Sequence, residues 1–200
     1  MELYPLKPST IQREALVTNI IRVYRRANSE QLRHGLHWYE SAHQLAEIVG
    51  HGDAVMGAGV IAALSANVGW GQNKKMALSM TSDGAVKGLP NSLEKAARIM
   101  AGEAPERVLG TGLKTLSFYF NILNPRSGAE VTIDRHAHDI ARGERGDEEN
   151  RGLSAKSRYM IFAQAYREAA KLIGITPSQL QAITWVVWTQ TVVPKRYRHH

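Results

Sequence analysis

The sequence predicts an all-α fold, and three observations carry that prediction. Apolar residues recur at helical spacing along most of the chain, as in Leu16, Val17, Ile20, Ile21 and Tyr24. Helix start signals precede several of these runs, Ser9 with Gln12 and Thr176-Pro177-Ser178-Gln179 among them. No alternating strand pattern, Asn-Gly hairpin signal or internal repeat interrupts them.

Taken in order, the Ser9 and Gln12 capping box opens a first helix through Tyr24. A second is expected over 37–49, ending near Gly50. Asp53 caps a third, with Met56, Val60, Ile61 and Leu64 on one face. That helix begins an uncharged stretch, 54–73. Four glycines and several polar side chains make the stretch a poor hydrocarbon-facing segment, so it reads as a buried small-residue helix followed by a loop. Asn91 and Glu94 give a further cap ahead of Leu93, Ala96, Ala97 and Met100.

A short helix over 105–109 runs into Gly110-Thr111-Gly112, and another carries Leu116 to Ile122 before Asn124-Pro125. Asp134 is placed to cap the next. The polar run 142–152 reads as a solvated loop. Tyr159, Phe162, Ala163, Tyr166, Ala170 and Ile173 line a long helix that Gly174 stops; Leu180, Ile183, Val187 and Thr191 line the last.

Composition narrows the function. The 200 residues include no cysteine, which excludes disulfides, cysteine-ligated zinc, iron–sulfur clusters and thiol catalysis. Lysine and arginine number 25 against 18 acidic residues, a net charge of +7, which favours an anionic partner, most simply nucleic acid. Residues 1–10 hold no apolar signal-peptide core, and a cytoplasmic or nucleoid-associated protein of bacterial or phage origin is expected, with no membrane partner.

The chemistry concentrates in 108–122, VLGTGLKTLSFYFNI. Two helices joined by a Gly-x-Gly turn make a helix-hairpin-helix. Gly110 and Gly112 permit positive φ and close backbone approach. The freed N–H groups of the turn and the following helix start form an anion site that suits a DNA phosphate without sequence selectivity. A lone Gly-Thr-Gly is also what a plain helix connection would show.

Two further segments join it. Val131-Thr132-Ile133-Asp134-Arg135-His136 follows Lys114 by about twenty residues, and Ala63-Leu64-Ser65-Ala66-Asn67 precedes the hairpin. In that order, over roughly 55–140, they resemble the helix-hairpin-helix DNA glycosylase superfamily of endonuclease III and the 8-oxoguanine glycosylases, here without the iron–sulfur cluster. The resemblance implies a two-lobed fold, with a helical lobe from 1–54 and 141–200 and a hairpin lobe from 55–140. It puts Lys114 on the family's Schiff-base lysine and Asp134 on its essential aspartate. Asn67, where the family has glutamine, falls on the segment that fills the gap left by an extruded base. DNA contacts are then expected from Gly110, Thr111, Gly112, Thr115, Asn67 and Trp70, and His136 is expected as a structural hydrogen-bonder.

The activity so implied is a DNA glycosylase with AP lyase activity, acting on double-stranded DNA in base excision repair, as a monomer and without a cofactor. A carboxylate stabilises the positive charge that builds on the sugar, a neutral lysine amine attacks the anomeric carbon, and the base leaves the stack to be reached. Lys114, at a helix start and partly desolvated, would be poised for attack. The alternatives are a base-hypermodification enzyme on the same fold and a non-catalytic helix-hairpin-helix DNA-binding protein.

Other signals compete. Asp134 at a helix start is commonly only an N-cap, and Lys114 commonly only a phosphate contact or a solvated side chain. His138-Asp139 resembles the HD phosphohydrolases, which also need an upstream histidine and a downstream aspartate; no aspartate follows Asp147, so no metal site is assigned. Trp38, Tyr39, Trp185 and Trp188 are expected in packing, and Trp70, just after Asn67, as the pocket aromatic. Arg22, Arg25, Arg26 and Arg33, and again Lys195, Arg196 and Arg198, form basic clusters suited to a DNA backbone or simply to solvent.

Overall fold

The computed structural model describes residues 3–82, 86–146 and 151–191. Within them the chain is all-helical: α1 Thr10–Tyr24, α2 Ser29–Leu36, α3 Trp38–Val49, α4 Ala54–Ala63, α5 Trp70–Ser82, α6 Pro90–Met100, α7 Pro105–Leu109, α8 Leu113–Leu123, α9 Arg135–Arg142, α10 Lys156–Ile173 and α11 Pro177–Thr191. Asp147, Lys195, Arg196 and Arg198 lie outside the described residues.

Capping chemistry sets several of the starts. Ser9 and Gln12 bond reciprocally at the head of α1, and Thr176 and Gln179 do the same for α11. Asp53 accepts from Val55 N and Met56 N at α4. Two helices go beyond the sequence expectation. α2 follows a capping box of Asn28 and Gln31, and α5 occupies ground expected to begin as a loop. One cap differs. α6 starts at Pro90, whose fixed φ suits the first helical position, so Asn91 lies inside the helix and does not cap it.

The chain divides into two compact units. One runs up to Trp38 and resumes at Gly128. In it α11 packs against α1, α2, α9 and α10, and α1 also packs against α9 and α10. Its core includes Ile20, Phe162, Tyr166, Leu180 and Ile183, all fully buried. Trp38 and Trp185 meet edge to face at 6.1 Å, and Trp188 is buried.

The other unit spans Tyr39–Ser127. Its centre is α4, which packs against α5, α6, α7 and α8. That helix can be surrounded because its side chains are small: a Cβ at Gly57 would sit 1.8 Å from the Ala46 carbonyl oxygen. Asn73 Nδ2 donates to Ile61 O at 3.0 Å and ties α5 onto it.

These boundaries differ from the expected 54/55 and 140/141. The helix α3 falls almost wholly in the second unit. The helix α9, with Asp134, falls in the first, because its buried face of Ala137, Ile140 and Ala141 packs on α1, α10 and α11. No single described helix is long and apolar enough to cross a membrane; α3 and α4, the one pair that could by composition, are bent by 106°.

Candidate functional site

The hairpin belongs to the second unit. α7 ends at Leu109, Gly110 turns the chain with φ 76° and ψ −153°, and Gly112 leads into α8. Only glycine readily holds the Gly110 conformation. Gly112 differs from the sequence expectation. Its φ is −68°, open to any residue, and a Cβ there would meet nothing within 4 Å. Neither backbone conformation nor internal packing requires a glycine at 112. What its absent side chain leaves is bare backbone facing outward.

The start of α8 has no side-chain cap. Its leading N–H groups therefore find no side-chain acceptor among the described residues, and they carry the positive end of the helix dipole. Such an end can receive an anion. The turn itself is braced. Tyr119 Oη donates to Glu106 Oε1 at 3.0 Å across the hairpin, and Lys95 Nζ donates to Leu109 O at 3.5 Å. Burial, then the Glu106 contact, pushes the Tyr119 hydroxyl well above the usual tyrosine range, so it remains a donor.

Lys114 is exposed, as are Thr111 and Gly112, while Gly110 and Thr115 are half-buried. The expected desolvation of the lysine is not found: it stands in the first turn of α8, beyond the packed part of the helix. One turn on, at i+4 and on the same face, lies Phe118. Phe118 meets Trp70 edge to face at 6.4 Å and Tyr39 at 6.5 Å. Trp70 opens α5 half-buried, and Lys74 Nζ lies 5.8 Å from its ring centre. Asn67 is exposed in the turn after α4, at φ 60°, a left-handed conformation that asparagine tolerates. The second unit thus brings together the Gly-Thr-Gly turn, Lys114, Phe118 and Trp70, with Lys74 beside the indole.

Asp134 belongs to the first unit. It caps α9, with Oδ1 accepting from Ala137 N at 2.7 Å. Its other carboxylate oxygen accepts no hydrogen bond from a described residue. The extended residues before it are held by a group that sequence reasoning treated only as core. Tyr159 Oη on α10 accepts from Ile133 N at 3.1 Å and donates to Val131 O at 2.7 Å, imitating a neighbouring strand. Burial pushes the His136 imidazole below its usual value. His136 makes no hydrogen bond with a described residue, so the expected structural bond is not found.

The adjacent His138 and Asp139 are buried, and Asp139 faces Arg151. Arg151 donates from Nε and Nη2 to the two Asp139 oxygens, both at 2.9 Å, and His138 Nδ1 lies 3.0 Å from Asp139 Oδ1. Burial alone would raise the Asp139 carboxyl; the bonds from His138 and Arg151 outweigh it and hold the group below its usual range. Among the described residues, no three histidine or acidic side chains lie together as metal ligands. Arg151 was expected in solvent; its near-complete burial shows that the end of the 142–152 run folds back onto α9. No local periodicity could have signalled a partner twelve residues away.

No curated protein and no solved structure matches the chain. A model of the family described as "Family of unknown function (DUF7178)" matches residues 4–192, nearly the full length, and the chain belongs to that family.

Proposed function

We propose that the protein is a helix-hairpin-helix enzyme of double-stranded DNA, a glycosylase with associated lyase activity. The supporting observation is the hairpin: Gly112, which the protein's own packing does not require, presents open backbone beside the uncapped α8 and exposed Lys114. A phosphate is the anion such a turn accommodates without reading sequence.

In this reading Trp70 and Phe118 offer aromatic edges to an extruded base, and Lys114 supplies the amine. The Nζ–C1′ bond forms as the glycosidic bond breaks, and the base departs with a proton given up by the attacking amine. The C1′–O4′ bond then breaks to leave an iminium, O4′ taking a proton from water, and loss of a 2′ proton to water expels the 3′ phosphate. Asp134 keeps the carboxylate role that the resemblance implies; one of its oxygens caps α9.

The exposure of Lys114 favours a second reading, a non-catalytic DNA-binding protein built on the same hairpin. Variants separate the two. Lys114→Ala and Asp134→Asn are assayed for strand cleavage and binding on duplexes carrying an abasic site, uracil, 8-oxoguanine, oxidised pyrimidines or 5-hydroxymethyluracil. The enzyme reading expects each variant to lose cleavage by at least about 100-fold with binding nearly intact. Full cleavage in both variants, or none in the parent, overturns it. A modified base on an intact strand would indicate base hypermodification instead.

A further inference from the structure

The first unit carries an arginine face that its own packing does not use. Leu16, Val17, Ile20 and Val23 form the buried side of α1. Arg22 in its last turn and Arg25 and Arg26 in the turn that closes it, at i, i+3 and i+4, lie away from that side, all exposed. Arg33 and His34 follow, exposed in the last turn of α2. None of these side chains forms an ion pair or hydrogen bond with a described residue. Elsewhere in the same unit Arg142, Arg151, Arg158 and Arg167 each donate to a carboxylate or a carbonyl.

Between Arg22 and Trp38 four arginines stand against the single acid Glu30, and the chain has no lysine from 8 to 73. A surface that needed only solvation would take lysine as readily. The planar guanidinium is the cation suited to two-point contact with phosphate oxygens. Like charges at this spacing also oppose one another, and an external anion relieves that repulsion. A membrane surface fits less well. An interfacial helix sets apolar side chains beside its cations, and no large exposed apolar residue occurs between Ile11 and Ile48.

We infer that Arg22, Arg25, Arg26 and Arg33 form a contact surface for the phosphodiester backbone of double-stranded nucleic acid, carried by the first unit. The inference does not rest on chemistry at Lys114 and is read from binding alone.

The test uses the full chain and an undamaged DNA duplex, with affinity measured across a salt series. Arg25→Gln with Arg26→Gln should weaken binding several-fold and lower the slope of log K against log salt by about two, one per lost phosphate contact. The control, Lys156→Gln with Lys171→Gln, removes the same charge from exposed positions on α10 and should change the slope little. Melting curves should be unchanged for both pairs, since all four side chains are exposed. An unaltered slope in the arginine pair overturns the inference. So does an equal loss in the control, failure of the parent to bind the duplex, or tighter binding to phosphatidylserine-containing vesicles at the same salt. A chain that binds through the arginines yet cleaves nothing keeps this surface and loses the glycosylase reading.

Discussion

Tyr119 and Glu106 join the two helices of the hairpin: the fully buried tyrosine of α8 donates to the carboxylate of α7 at 3.0 Å. The bond spans the glycine turn, so the turn is held from behind while its outer edge stays open. Tyr119→Phe keeps the ring packing and removes the bond. Glu106 is exposed and regains water, so the expected cost is about 1 kcal/mol, a Tm drop of roughly 3 °C by calorimetry.

The two hairpin glycines should behave differently. Gly110→Ala forces a side chain into a conformation that only glycine readily adopts, at about 1–3 kcal/mol. Gly112→Ala meets no clash and no backbone strain, so its melting curve should match the parent's. If the bare backbone at 112 receives a phosphate, Gly112→Ala should still weaken duplex binding. Melting and binding measured on the same two variants check this.

The buried Asp139–Arg151 pair should carry an acid-sensitive part of the stability. The Asp139 carboxyl lies below its usual value in the folded chain, so ionisation favours folding. Its contribution is complete above the ordinary carboxylate value of about 3.9 and fades as pH falls through the lower folded value. Asp139→Asn should flatten the stability profile below about pH 4. Arg151→Ala should cost roughly 3 kcal/mol in urea unfolding at neutral pH, since it strands a buried carboxylate.

His136 acts in a different window. Its folded value is lowered, so the unfolded chain takes up the proton first and stability falls as pH drops below about 6.5. His136→Gln should therefore lose less stability than the parent between pH 7 and pH 5, read as Tm at each pH.

What the sequence revealed was local. The caps at Ser9, Asp53, Asp134 and Thr176 are short-range hydrogen-bonding signals, and each opens a helix where its spacing implied. The short α2 escaped although Asn28 and Gln31 spell a capping box, because only Gln31 and Gly35 are buried in it and no apolar stripe followed the cap. Long-range relations were not readable. The Tyr159 brace on Val131 and Ile133 joins positions 28 and 26 residues apart, and Arg151 looked like one more charge in a polar run. Of the candidate site, the turn and its lysine could be read because they are contiguous. The placement of Asp134 could not, because packing of α9 against α1 and α11 decides it.

Borohydride trapping tests the central claim most directly. The full chain is incubated with the damaged-duplex panel, reduced, and resolved for a covalent protein–DNA adduct. The account predicts an adduct with at least one duplex that disappears in Lys114→Ala. No adduct on any duplex despite tight binding, or an adduct that persists in Lys114→Ala, would contradict it.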